Sequence, residues 1–235
     1  MNVTYKIIVV DSGSTDGARE YVESLSIRLV KIGPKNFNFA SAFNAGAKRA
    51  RGKYLIRLSG DVIPFKKNFL RELLKPFGDP RVGGTYGKYM VTGRRAYQYP
   101  DFWPAERFPR KMTRYSIYPN PIKMLINSKF REEIFNFAGG CCAIRREIWK
   151  KRPFNKKLIE GEDAEYAWFL HIIGYDIVYN PKAKAIHEHR VIQRGRQTFM
   201  GGVFSKFMWQ LRWQIAKYYL QSLFLQDPYK NLRIN

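Results

Sequence analysis

The first sixty residues alternate between two periodicities, and that alternation limits the chain to few architectures. Tyr5 to Val10 is an apolar run of strand length, and Ala18, Tyr21, Val22 and Leu25 follow at the spacing of one helix face. Ile27 to Ile32 reads as a second strand. Phe39, Ala42, Phe43, Gly46, Ala47 and Ala50 form a second helix face that stops at Gly52, and Lys53 to Leu58 makes a third strand. Strands alternating with helices predict an α/β fold with a mostly parallel central sheet flanked by helices. In open parallel sheets ligands bind outside the carboxyl ends of the strands. Those ends here are Asp11-Ser-Gly-Ser-Thr-Asp16 and Ser59-Gly-Asp-Val-Ile-Pro64, two loops that carry acids.

A third acidic segment lies further on. Tyr166, Phe169, Leu170 and Ile173 fall at i, i+3, i+4 and i+7, which predicts a helix beginning near Asp163 and stopping at Gly174. Glu162 and Asp163 stand at its N-terminus, where unpaired N–H groups favour carboxylates, so capping alone would account for them. Tyr175 to Tyr179 has strand composition, Pro181 is expected to end that strand, and His187 and His189 follow a second short run. Upstream of this segment, Asn136 to Ile144 reads as a buried strand whose glycines permit close backbone approach.

Charge decides what the chain must meet. Its 235 residues carry Lys+Arg 42 against Asp+Glu 19, a net charge of +23, which calls for an anionic partner: nucleic acid, a lipid surface or a phosphorylated substrate. Between Glu106 and Glu132 no acid occurs, while basic, aromatic and proline residues recur from Arg94 to Phe135. Two readings fit this insertion, a solvated excursion and a lid or acceptor-binding segment. Phe204 to Leu225 places Phe204, Met208, Leu211, Ile215 and Tyr218 on one helical stripe interrupted by Lys206, Arg212 and Lys217. Such a helix suits an anionic membrane surface, and equally a packing face on its own domain or on a second subunit of a homo-oligomer. Cys141 and Cys142 are the only cysteines and adjacent, so neither a disulfide framework nor a zinc site is available and a reducing, cytoplasmic setting is expected. No stretch of about 18 apolar residues occurs. Peripheral attachment at the inner membrane face is therefore the expected location.

Taken in order, Ile7-Ile-Val-Val-Asp-Ser-Gly-Ser-Thr-Asp-Gly17, Asn36, Phe43-Asn-Ala-Gly-Ala-Lys-Arg-Ala-Arg-Gly-Lys-Tyr54, Leu58-Ser-Gly-Asp-Val-Ile-Pro64, Gly161-Glu-Asp-Ala-Glu165, Gly174-Tyr and His187 resemble the family-2 glycosyltransferases of the Rossmann-like GT-A fold. The resemblance implies a transferase domain over residues 1–190, with the insertion at 94–135, followed by a basic amphipathic helical extension over 191–235. It implies inverting transfer of a sugar from a nucleotide-sugar donor to a glycan or lipid-linked acceptor in cell-surface polysaccharide, glycolipid or glycoprotein synthesis. Asp11, with Ser12 and Ser14, matches the nucleotide-binding position. Asp61 matches the second acid of the family's D-x-D motif for a divalent cation, Mg²⁺ or Mn²⁺, and His187 a position where some relatives place a histidine on the metal. Asp163 matches the general base, with Glu162 orienting it or binding the acceptor, and Glu165 is a weaker candidate.

Two departures qualify the resemblance. Ser59 stands where the first acid of the metal motif is expected. The family also has a strand and a helix before the Asp11 strand, and this chain opens almost at the second strand, about 30 residues later. These departures motivate one rival, a catalytically inactive relative that binds glycans or a partner chain. The charge motivates another, a basic nucleic-acid-binding protein. In the latter, Asp11, Asp61 and Asp163 would repel phosphates unless a metal intervened, so no nucleic-acid partner is expected.

Overall fold

The computed structural model describes residues 3–90, 109–117, 127, 133–158 and 161–187. β1 (Ile8–Asp11), α1 (Ala18–Ser24) and β2 (Arg28–Lys31) open the chain; α2 (Phe39–Ala47), β3 (Tyr54–Leu58) and β4 (Val62–Pro64) follow. Next come α3 (Phe69–Leu74), β5 (Val82–Met90) and the short β6 (Thr113–Tyr115). β7 (Cys141–Arg145) runs straight into α4 (Arg146–Lys151), and α5 (Glu162–Ile172) leads to the long β8 (Asp176–His187).

The α/β class holds, with a central sheet flanked by helices, but the sheet is mixed. β1 and β2 pair in parallel as a separate two-stranded sheet, and a six-stranded sheet runs β3-β7-β5-β8-β4 with β6 also on β8. Within it β5–β8 is parallel, whereas β3–β7, β5–β7, β4–β8 and β6–β8 are antiparallel. Parallel neighbours need a long crossover, usually helical. The strand–helix rhythm that supplies such crossovers stops at Leu58, where a three-residue turn leads directly into β4. Among the described residues β1 pairs only with β2 and β3 only with β7, so the sheet is interrupted between β1 and β3. The resemblance implies an interior strand at that place.

The core lies where β5, β7 and β8 meet α3 and α5. Tyr86, Ile144, Ile177, Tyr179, Tyr166, Leu170 and Leu73 are fully buried there. Cys141 and Cys142, neighbours on β7, are both buried as free thiols because β7 is covered on both faces. Burial pushes the Cys141 thiol up to about 12. Of the face expected on α5, Tyr166, Leu170 and Ile173 are buried and Phe169 partly so, and Gly174 ends the helix with φ +83°. The face expected on α1 is not buried: Tyr21 and Leu25 are exposed. A two-stranded sheet is too narrow to cover a seven-residue helix.

Pro181 does not end β8. The strand runs on to His187 through a bulge, with Gly87 opposite Asn180 and Lys88 opposite Lys184. The three residues between absorb the proline, which lacks an N–H for the ladder. Opposite the bulge only glycine fits, since a Cβ on Gly87 would lie 2.3 Å from the Ala183 carbonyl oxygen. The bulge carries His187 into register with Val62 at the end of β4. Of the insertion, 109–117, 127 and 133–135 are described, and part of it joins the sheet. Tyr115 is buried, β6 pairs with β8, and Arg114 bridges Asp79 and Asp176. The extension at 191–235, with its helix over Phe204 to Leu225, lies outside the described residues.

Buried Ala40 and Ala47, the Phe43–Phe154 ring contact and one buried polar side chain tie α2 to the main core. Gly46 of α2 packs on β1, where a Cβ would meet Val10 at 3.0 Å. Two residues earlier in the same helix, Asn44 donates to the Phe154 carbonyl (2.8 Å) and accepts from Trp149 Nε1 (2.9 Å) and the Phe154 amide (3.1 Å). Asn44→Ala would leave those three groups without partners, at a cost of ~3 kcal/mol or more. The expected drop in melting temperature is roughly 6–12 °C by calorimetry. A melting point within about 1 °C of wild type would show that water replaces the tie.

Candidate active site

Asp11 closes β1 and turns its carboxylate into its own loop. It accepts from the Gly13 amide (3.1 Å), the Ser14 amide (3.0 Å) and Arg19 Nε and Nη2 (3.1 and 2.7 Å). The Ser14 hydroxyl, then Arg19 and the amides, hold this carboxyl far below the usual carboxylate range, so it stays ionised at any working pH. Asp11 thus forms the Asx turn read from sequence, and Ser14 belongs to that turn. Ser12 stands next to it, half-buried. Sequence reasoning missed Arg19, and no pattern marks it, because the fold of α1 alone brings it back to Asp11.

The second acid loop sits at the far end of β3. The Ser59 amide donates to the Gly140 carbonyl (3.0 Å) and the Val62 amide to the Ser59 carbonyl (3.0 Å), a turn that presents Asp61. Pairing of β4 with β8 places His187 Nε2 3.2 Å from Asp61 Oδ2, and the Tyr89 ring lies against the imidazole with centroids 4.6 Å apart. The two residues proposed from sequence as metal ligands therefore meet. Among the described residues no group of three or more His, Cys, Asp and Glu side chains surrounds a metal position. An imidazole nitrogen and a carboxylate oxygen side by side are still ligand types that fit a borderline cation such as Mn²⁺.

Glu162, the first acid of α5, does not cap the helix, and Asp163 takes up only one of its first-turn amides. Gly161 holds the N-cap position without a side-chain cap, and Glu162 is buried with Oε1 2.8 Å from Arg57 Nη1. Asp163 Oδ2 accepts from the Gly139 amide (3.1 Å) and Oδ1 from the Ala164 amide (2.7 Å). Burial, then the neighbouring Glu162, pushes Asp163 up to about 6, against the pull of Arg57 and the two amides. Glu165 points inward and pairs with Arg152, whose guanidinium stacks on Phe169, so it takes no part in this group.

Gly139 and Gly140 tie these parts together. A Cβ on Gly139 would lie 2.8 Å from Asp163 Oδ2, and one on Gly140 would lie 2.7 Å from both Ser59 Oγ and the Tyr89 hydroxyl. One glycine pair therefore has Asp163 on one side and, on the other, the Ser59 and Tyr89 groups that lead to His187 and Asp61. Sequence reasoning saw that these glycines allow close approach but not to what. It also missed Arg57, although a lone cation in Tyr-Leu-Ile-Arg-Leu, an otherwise apolar strand, was the available signal.

The chain is 27% identical over 212 residues to the O-antigen chain rhamnosyltransferase WbaN of Salmonella anatum, covering 86% of this chain and 63% of that protein. It is 24% identical over 194 residues to the glycosyltransferase AglE of Haloferax volcanii, covering 79% and 57%. The chain thus spans about three-fifths of the length of these curated relatives. Among solved structures, the mannosyltransferase PcManGT of Pyrobaculum calidifontis, in complex with GDP-Man and Mn²⁺, superposes with a TM-score of 0.56 at 20% identity over 83% of this chain and 50% of that one. TarS of S. aureus in complex with UDP gives 0.56 at 17% identity over 77% and 50%. At such identities these two likenesses show the fold, which is GT-A. The sequence profile of glycosyl transferase family 2 matches residues 2–152, more than half of the chain, and the chain belongs to that family.

Proposed function

We propose that this protein transfers a glycosyl group from a nucleoside diphosphate sugar to an acceptor hydroxyl with inversion at the anomeric carbon. The observation that carries this reading is the Gly139–Gly140 pair, packed against the Asp163 carboxylate on one side and against Ser59 and Tyr89, next to the Asp61–His187 pair, on the other. Asp163 acts as general base: its carboxylate takes the acceptor proton as the acceptor oxygen bonds to the anomeric carbon. On the opposite face the bond from that carbon to the diphosphate oxygen breaks, and its electron pair leaves with the nucleoside diphosphate. Asp11 and its turn, including Ser12 and Ser14, hold the nucleoside. Asp61 and His187 would hold a divalent cation, which supplies positive charge to the diphosphate leaving group. The Pyrobaculum neighbour, solved with GDP-Man and Mn²⁺, supports that assignment.

The acceptor we infer is a glycan or a lipid-linked precursor of a surface polysaccharide. The rhamnosyltransferase relative supports it, as does the net charge of +23, which attracts phosphates of the acceptor or of an anionic bilayer. No helix among the described residues is long and apolar enough to cross a membrane, so contact with a bilayer would be peripheral in this part of the chain.

Two experiments test the reading. Incubated with UDP-, GDP- and dTDP-sugars and an acceptor extract, the protein should release nucleoside diphosphate at a rate that climbs with pH through about 6, because the base must be ionised. Asp163→Asn should bind donor about as well by calorimetry yet turn over about 10²-fold or more slowly; unaltered turnover would remove Asp163 from the base role. Its stability should change too. With a native value near 6 against 3.8 when unfolded, the folded state binds the extra proton between those values, so stability falls as pH rises across that window and stays lowered above it. Asp163→Asn should therefore melt higher than wild type above pH 6 and match it below about pH 4. For the cation, Asp61→Asn and His187→Ala should each weaken donor binding about tenfold or more when Mn²⁺ is present. Wild-type donor affinity that is indifferent to chelation would sink the metal assignment.

A further inference from the structure

Glu162 and Asp163 are chain neighbours at the start of α5, and one cation treats them differently. Arg57 reaches up from β3 to Glu162, with side chains 10% and 5% exposed. Its guanidinium lies 5.7 and 5.9 Å from the ring centroids of Phe39 and Phe43, so two rings of α2 roof the Arg57 end of the pair. Asp163 turns away to the Gly139 amide. The gap between these groups is one glycine wide, since a Cβ on Gly139 would lie 2.8 Å from the Asp163 carboxylate and 3.2 Å from Arg57 Nη1. Two carboxylates this close in a desolvated place cannot both carry charge unless a cation offsets one of them.

We infer that Arg57 is a positioning residue of the proposed transfer: by engaging Glu162 in a roofed ion pair, it makes Asp163 the carboxylate that exchanges the proton. The inference rests on the reading of Asp163 as base. Among the described residues, the titratable or charged groups facing Asp163 are Glu162 from its own helix, Arg57 from β3, Cys142 from β7 and Tyr89 from β5. Burial keeps the thiol and the phenol neutral in the working range, so the cluster reduces to one cation and two carboxylates. Removing the cation makes Asp163 hold its proton to higher pH, and removing the Glu162 charge does the reverse. With Arg57 gone, the proton is shared between two like acids and the base is no longer defined.

The test is a carboxyl-¹³C NMR titration of the full chain, with the Asp163 resonance assigned by its loss in Asp163→Asn. The midpoint should rise by at least one pH unit in Arg57→Gln, return toward wild type in Arg57→Lys, and fall by at least one unit in Glu162→Gln. The pH at which nucleoside diphosphate release from the sugar-nucleotide panel reaches half its maximum should move with it in each active variant. A role in packing alone would lower the melting temperature of Arg57→Gln without moving either midpoint. If Arg57→Gln does not fold, Glu162→Gln decides alone. Unmoved midpoints together with a slow Asp163→Asn variant overturn the role of Arg57 and leave the base standing. A fully active Asp163→Asn variant overturns both.

Discussion

Asn44 is where two structures become one. β1 and β2 form a narrow sheet of their own, and a pair of strands with exposed helix faces has little apolar surface to hold it in place. α2 lies on that sheet through Gly46 and reaches the main body through apolar packing and through Asn44, whose amide makes three hydrogen bonds to Trp149 and Phe154. A buried amide with all these bonds made has one good position, and any shift leaves polar groups without partners. The same helix supplies Phe39 and Phe43, the roof over the Arg57–Glu162 pair. The place of Asp11 relative to the other acids and the cover over the acid cluster therefore both depend on how α2 is held.

The three acid groups are held in three electrostatic settings. Asp11 is surrounded by amides, a hydroxyl and a guanidinium, all of which favour its charge. Glu162 is neutralised by a single buried arginine. Asp163 has two amides and the field of Arg57 against burial and a neighbouring carboxylate, and burial wins. A carboxylate meant to hold a nucleoside should never lose its charge, whereas one meant to take a proton must be able to accept it near neutral pH. The settings suit the separate duties proposed for Asp11 and Asp163.

Much of the fold was legible because hydrophobic spacing reports local structure directly. The strands around Val9, Val30 and Leu55 and the helices around Phe43 and Tyr166 lie where apolar residues recur at the right period. The errors came from contacts distant in sequence. Pro181 reads as a strand end, yet Gly87, more than ninety residues earlier, makes room for the bulge that carries β8 past it. Tyr21 and Leu25 read as a packing face, yet the sheet beneath them is only two strands wide. The parallel rhythm of the first sixty residues likewise gave no warning of four antiparallel pairings.

By itself the sequence determined which residues carry acid and imidazole groups, that Asp11 ends a strand, Asp61 follows one and Asp163 lies at a helix start, and that several motifs stand in the order of one family. Those are properties of short segments, set by periodicity and turn chemistry. Only the tertiary structure decided that His187 meets Asp61, that Gly139 packs on Asp163 and Gly140 on Ser59 and Tyr89, and that Arg57 claims Glu162. Charge state and reach depend on dielectric and distance, and both are fixed by elements up to 126 positions apart in the chain, from Asp61 to His187.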